Sequence, residues 1–210
     1  MPSRKASPPA AKKPRRKPVK RRKKRVEPPR FSIDLSKPAP ANPPGYIFVG
    51  IDPGKTGAIS TLLPDGRVVA RPTPTVKING QDVYDAYKMH RYMRWLRLWA
   101  ISGKMVHIVM EEVTMRPFEA KRTVLAMGAG QGYWLCLARL YGFQITEVHP
   151  ATWKAAYKFS KGRKTTAEFK RDSIKLCGKL YPQLSLQLQK DEAMAEATLL
   201  ADYLKRSVIS

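Results

Sequence analysis

Four carboxylates stand out in a chain that is otherwise poor in acids: Asp52, Glu111, Asp191 and Glu196. Asp52 closes the apolar run Tyr46-Ile47-Phe48-Val49-Gly50-Ile51, and Glu111 closes a second run, Val106-His107-Ile108-Val109-Met110. Short apolar runs of this kind read as buried central strands. Where two such strands lie parallel and adjacent, their carboxyl ends form the functional edge of an open α/β sheet. Two acids side by side at that edge repel each other unless a cation neutralises them. Asp191, Glu192 and Glu196 open the final helical stretch, and Asp191 and Glu196 could approach a cation held by Asp52 and Glu111. Oxygen donors without His or Cys specify magnesium, with manganese able to substitute, rather than zinc. Taken singly, each acid has a plainer reading. Asp52 forms a turn before Pro53-Gly54, Glu111 or Glu112 is a solvated strand end, and Asp191 is an acid favoured at a helix N-terminus.

The elements that must position these groups follow from the periodicities. Strands are expected at Tyr46–Ile51, Ala58–Leu63 and Arg67–Arg71, the last two joined by an Asp65-Gly66 turn. Pro72, Pro74 and Gly80 mark a loop, and Val83–Ile101 reads as a helix whose Met93, Trp95, Leu96 and Trp99 pack in the core. A fourth strand ends at Glu111. A helix over Arg122–Tyr141, a strand over Phe143–Val148, and helices over Pro150–Tyr157, Thr165–Leu180 and Asp191–Lys205 complete the order. Three meander strands followed by βαβ crossovers give an α/β fold, a mixed five-stranded sheet with helices on both faces.

Charge sets the partner. The chain has 210 residues, 40 Lys+Arg against 16 Asp+Glu, and a net charge of +24. Residues 1–30 carry 14 Lys+Arg and one acid, Glu27, and residues 1–44 hold 11 of the 18 prolines. Residues 1–44 therefore read as a disordered basic arm and 45–210 as one folded domain. The arm serves non-specific nucleic-acid binding or acts as a targeting or solubilising segment, and its removal through residue 40 is expected to leave folding intact. The body remains basic without it, so nucleic acid is the expected partner of both. Two cysteines, Cys136 and Cys177, in apolar helix-like contexts exclude a disulfide scaffold or a cysteine zinc site. No apolar run is long enough for a membrane span, and the start Met-Pro-Ser-Arg lacks a secretory apolar region. An intracellular, DNA-associated location is expected.

Val49-Gly50-Ile51-Asp52-Pro53-Gly54-Lys55-Thr56-Gly57-Ala58 resembles the first motif of RuvC-type Holliday junction resolvases, and Val109-Met110-Glu111-Glu112-Val113 resembles their second acidic strand. Gly130-Gln131-Gly132-Tyr133-Trp134, Val148-His149-Pro150-Ala151-Thr152-Trp153-Lys154, Leu180-Tyr181-Pro182 and the Lys190–Ala197 stretch are similar to the monokaryotic chloroplast branch and its phage relatives. This resemblance implies an RNase H-like fold, a homodimer, and metal-dependent paired nicking of four-way DNA junctions. Bacterial members place two acids three residues apart in the last helix, whereas Asp191 and Glu196 are five apart, which leaves Glu192 as a rival ligand.

Hydrolysis of a phosphodiester needs an activated water, charge relief on the phosphoryl oxygens and a stabilised leaving oxygen, which two metal ions supply together. On this reading Asp52 bridges both ions, Glu111 binds one, and Asp191 and Glu196 complete the other. Lys164 or Lys170 adds charge relief, or is a solvated helix charge. Lys121 and Arg122 contact phosphates. In the loop after Glu111, Arg116 adds to the grip, and Phe118 is either a wedge at the crossover or a packed side chain. Gly128 and Gly132 permit close approach of a dimer partner, of DNA or of the underlying sheet. An actin-like ATPase or sugar kinase needs a longer, duplicated chain. Another RNase H-like nuclease and a catalytically inactive junction-binding protein remain as alternatives.

Overall fold

The computed structural model describes residues 33–35, 39–114, 120–159, 166–184 and 192–209. Five strands form the main sheet: β1 Tyr46–Ile51, β2 Ala58–Leu62, β3 Val68–Pro72, β6 Met105–Glu111 and β7 Gln144–Val148. Their order is β3-β2-β1-β6-β7, with β1–β2 and β2–β3 antiparallel and β1–β6 and β6–β7 parallel. This is the expected mixed five-stranded sheet.

Strand alternation sorts the side chains of β1 and β6 into two cores. Ile47, Val49, Ile51, Ile108 and Met110 face helices α1 (Ala86–Ile101) and α2 (Lys121–Leu140), with Met93, Leu96 and Trp134 buried among them. Phe48 and Val109 face the opposite layer of α3 (Pro150–Ala156), α4 (Thr166–Leu180) and α5 (Glu192–Ile209). Helices therefore cover both faces. Cys177 is buried and Cys136 is exposed, both as free thiols. No helix among the described residues is long and apolar enough to cross a membrane.

Two expectations change. The segment around Pro72, Pro74 and Gly80 is not a plain loop, because β4 (Thr75–Ile78) and β5 (Gln81–Tyr84) pair as an antiparallel hairpin. Asn79 and Gly80 both take positive φ, 51° and 75°, which is the Asn-Gly two-residue turn that right-twisted strands select. The helix that follows starts at Ala86 rather than Val83, capped by the Asp85 side chain accepting from the Lys88 N–H at 3.0 Å.

Part of the segment assigned to the basic arm packs on the body. Ile33 is buried in the α3–α5 core, and its N–H donates to the Ala156 carbonyl at 3.2 Å. The Asn42 amide donates to the Leu63 carbonyl at 2.7 Å and the Lys205 ammonium to the Pro40 carbonyl at 2.8 Å. Removal through residue 40 therefore strips core contacts, contrary to the expectation from composition. Proline and charge content in this stretch masked one well-placed isoleucine.

Candidate active site

Register places the first two acids level. Ile51 is opposite Met110 in the parallel β1–β6 pair, so Asp52 and Glu111 follow side by side at the carboxyl ends of neighbouring strands. Alternation sends Glu111 to the same layer as Val109, the α5 side, and the adjacent Glu112 to the other. Glu112 continues the ladder through its N–H to the Val148 carbonyl, 2.9 Å.

The helix that brings the third acid can approach because of Gly50. A Cβ there would lie 2.0 Å from the Ala197 carbonyl oxygen and 2.6 Å from the Ala201 nitrogen, so only glycine lets α5 settle directly on β1. Ala193, Ala195, Ala197 and Ala201 supply the matching small surface, and all four are buried. Glu196 is carried on this seated segment and meets the strand ends.

Short α3 supplies the groups that hold the carboxylates. Pro150 opens the helix, and His149 caps it by accepting from the Ala151 N–H at 3.1 Å, a structural role. Trp153, fully buried, donates its indole N–H to Glu111 Oε2 at 2.8 Å. Lys154 Nζ lies 3.0 Å from Glu196 Oε2 and 3.8 Å from Glu111 Oε2, and 5.0 Å from the centre of the Trp153 ring. Ser173 Oγ stands 3.5 Å from the other Glu196 oxygen. Neither Trp153 nor Lys154 was singled out as a site residue from sequence. Their signal was the Trp-Lys pair in a Pro-initiated helix directly after a strand that neighbours Glu111.

Burial pushes the Glu111 carboxyl up to about 7. Lys154 and the Trp153 N–H pull it down, and the charges of Asp52 and Glu196 push it further up. Glu111 therefore feels the charges of both Asp52 and Glu196. Asp52 also serves its turn, since its Oδ1 accepts from the Gly54 N–H at 3.3 Å. Tyr84 stands beside it with its phenol pushed up to about 12, by burial first and by Asp52 second. The phenol stays protonated, placed to donate to the carbonyls of Ala126 at 2.8 Å and Pro53 at 3.1 Å.

The other expected residues divide. Asp191, Lys164, Arg116 and Phe118 lie outside the described residues. Lys170 forms an ion pair with Glu192, so the expected phosphate contact and the rival metal ligand occupy each other. Lys121 and Arg122 are exposed in the first turn of α2, where the helix dipole disfavours cations, and Arg122 donates to Gln81 Oε1 at 3.0 Å. Gly128 and Gly132 face open space, which removes the reading that they pack on the underlying sheet. The crowded glycine is Gly130, where a Cβ would meet the Pro53 carbonyl oxygen at 2.1 Å and the Tyr84 hydroxyl at 2.4 Å.

The donor chemistry fits a hard divalent cation, since carboxylate oxygens that repel one another are its preferred ligands. Among the described residues, however, no three His, Cys, Asp or Glu side chains are gathered closely enough to hold one ion. The Lys154 ammonium stands between Glu111 and Glu196.

No protein-family model and no curated protein matches the chain. Among solved structures it is similar to T. thermophilus RuvC in complex with Holliday junction substrate, at 16% identity over 78% of this chain and 96% of that one, TM-score 0.45. A second Thermus thermophilus RuvC structure matches at 19% identity over 78% and 96%, TM-score 0.44. The yeast mitochondrial Holliday junction resolvase Ydc2 matches at 14% over 81% and 80%, TM-score 0.44. Likenesses this remote do not say which reaction the chain performs, so its own residues must carry that conclusion.

Proposed function

We propose that this protein is a structure-specific endonuclease that resolves four-way DNA junctions by paired, metal-dependent phosphodiester hydrolysis. The observation that supports it is the placement of Asp52 and Glu111 side by side at one sheet edge, with Glu196 linked to Glu111 through Lys154, in a strongly basic protein. Acids so placed repel a polyanion unless cations intervene. The RuvC-like motifs, including those similar to the chloroplast branch, point to junctions as the substrate. In the reaction water adds to phosphorus, the bond to the 3′ oxygen breaks, and that oxygen takes up a proton.

Asp52, Glu111 and Glu196, with Asp191, would hold magnesium or manganese, two ions in the expected site. The ions supply water activation and charge relief when bound. The chain's own residues prepare the site. Trp153 fixes the Glu111 carboxylate, and Lys154 balances Glu111 and Glu196 and offers its ammonium to a phosphoryl oxygen. Lys121, Arg122 and the basic arm contact the backbone of the DNA.

Paired nicks need two sites related by a two-fold axis, hence a homodimer. The outward face of α2 exposes Leu125, Gly128, Gly132, Cys136 and Leu140, a surface suited to a second copy. Gly132→Leu then yields monomers by light scattering and singly nicked junctions. If it stays dimeric and cuts both strands, the interface lies elsewhere.

The deciding experiment incubates the full chain with labelled four-way junction, fork, duplex and RNA–DNA hybrid, with and without magnesium. Symmetric nicks confined to the junction are expected. Asp52→Asn loses at least about 10³-fold in rate, because a neutral amide would hold a cation far less well than a carboxylate, yet keeps junction binding. Cleavage of hybrids or flaps instead would reassign the substrate, and junction binding without cleavage would make the protein a non-catalytic binder.

A further inference from the structure

Apart from Tyr84 at its base, the β4–β5 hairpin belongs to neither core. Its two strands form a sheet of their own, and the stretch from Val76 to Asp82 is exposed throughout. Cross-strand partners share a face, so the Val76–Val83 and Ile78–Gln81 pairs set Val76, Ile78 and Val83 on one side of the ribbon. Val76 is 41% and Ile78 54% exposed. Bare aliphatics on a free ribbon invite aggregation, and an isolated hairpin is marginally stable in water. The sequence keeps both features, with the Asn79-Gly80 turn holding Ile78 at the tip.

The ribbon is fastened to the candidate site at its base. The Tyr84 hydroxyl bonds the Pro53 carbonyl, one residue beyond Asp52, and the Ala126 carbonyl on α2. The Asp85 N–H donates to the Pro74 carbonyl at 2.9 Å, Lys55 reaches the Asp82 carbonyl, and Arg122 holds Gln81. Lys55 and Arg122 thus set positive charge beside the ribbon, while Lys77, paired with Asp82, lies on the face opposite the aliphatics. From base to tip the strands extend about 10 Å at 3.4 Å per residue, the length of about three base steps.

We propose that this ribbon is a wedge, with Ile78 inserting against bases unstacked at the branch point beside the phosphate presented to Asp52. The inference rests on the junction-cleaving reading and extends it to a second element that contacts the substrate. Aliphatic side chains inserted between base steps open duplexes in this manner, with cations alongside to hold the backbone. Lys55 and Arg122 provide that hold, and Ile78 provides the surface that replaces the lost stacking.

The test uses the full chain carrying Asp52→Asn and junctions with 2-aminopurine at each position flanking the crossover, whose fluorescence rises on unstacking. Binding should raise the signal at one of these positions by about twofold or more. Adding Ile78→Ser should return it to the free-junction level, while affinity changes by less than about tenfold because the phosphate contacts remain. Ile78→Leu should retain the rise. Ile78 is exposed, so neither variant disturbs the fold. Preferential junction binding with no rise, or with an equal rise in the serine variant, overturns the wedge alone. Failure of the Asp52→Asn protein to prefer junctions over duplex overturns the wedge and the junction reading together.

Discussion

Helix α5 carries acids of two kinds. Near its start, Glu196 has Lys154 at 3.0 Å, a lysine that also stands 3.8 Å from Glu111, and Ser173 at 3.5 Å. Near its end, Asp202 is wholly buried and enclosed by fixed donors. The Tyr181 hydroxyl lies at 2.6 Å, the Tyr157 hydroxyl at 2.7 Å, Arg206 Nε at 2.6 Å and Lys205 Nζ at 3.3 Å. Burial first, and Asp202 second, push both phenols far above their usual range, so they remain donors. Burial lowers Lys205, an effect that Asp202 opposes. An acid whose oxygens are met from several elements is a clamp, and exchanging any partner costs a buried charge. An acid sharing one lysine with its neighbour can exchange that lysine for a substrate or an ion. The difference separates architecture from chemistry within a single helix.

The largest effect that sharpens this contrast is on stability. Asp202→Ala removes the carboxylate that Lys205, Arg206, Tyr157 and Tyr181 share and should cost roughly 3–5 kcal/mol in urea unfolding. Glu196→Gln should cost under about 1 kcal/mol yet abolish nicking. If the two changes cost the same, the division between clamp and site fails.

Titration tests the site end. Glu111 rises from the ordinary 4.5 to about 7 on folding of the metal-free protein. The folded state then holds a proton that the unfolded chain releases, so the stability this group contributes is present at low pH. It is lost as pH climbs from about 4.5 to about 7, amounting to roughly 3 kcal/mol at most. Thermal melts in chelator should show this decline in the native protein and not in Glu111→Gln. Identical pH profiles for the two proteins would mean that Glu111 is not held in the buried setting described.

At the clamp end, the segment before β1 is the next point to break. Truncation through residue 32 should leave the melting temperature unchanged and flatten the salt dependence of duplex binding, as phosphate contacts are lost. Truncation through residue 42 removes buried Ile33 and the carbonyl of Pro40 from Lys205, and should cost roughly 2–3 kcal/mol. Equal melting temperatures would show that the segment merely rests on the clamp.

The smallest effect concerns the seat of α2 at the site. Gly130→Ala forces a methyl against the Pro53 carbonyl and the Tyr84 hydroxyl, and should cost roughly 1–2 kcal/mol and slow cleavage. Gly128→Ala, facing open space, should stabilise slightly through helix propensity. A silent Gly130→Ala would mean that the loop after Asp52 moves freely from α2.

Much of this molecule was legible in the order of its residues. Apolar runs ending in Asp52 and Glu111 marked the central strands, because a strand buried on both faces must be apolar and a carboxylate ends it. The mixed sheet with two helical layers followed from the strand and crossover order. What one dimension could not carry was proximity between distant segments. Trp153 and Lys154 lie 42 residues from Glu111 and Glu196 respectively, and no periodicity links them. The hairpin was hidden by Pro72 and Pro74 just before it, although Asn79-Gly80 was its signal. Asp202 lies on the same helix as Glu196, and only folding surrounds it with Tyr157, Tyr181, Lys205 and Arg206. Local pattern determines which elements form, since it acts through neighbours in the chain. Whether a charge becomes a clamp or a reagent depends on the partners that packing brings within about 3 Å, a matter that only the tertiary structure decides.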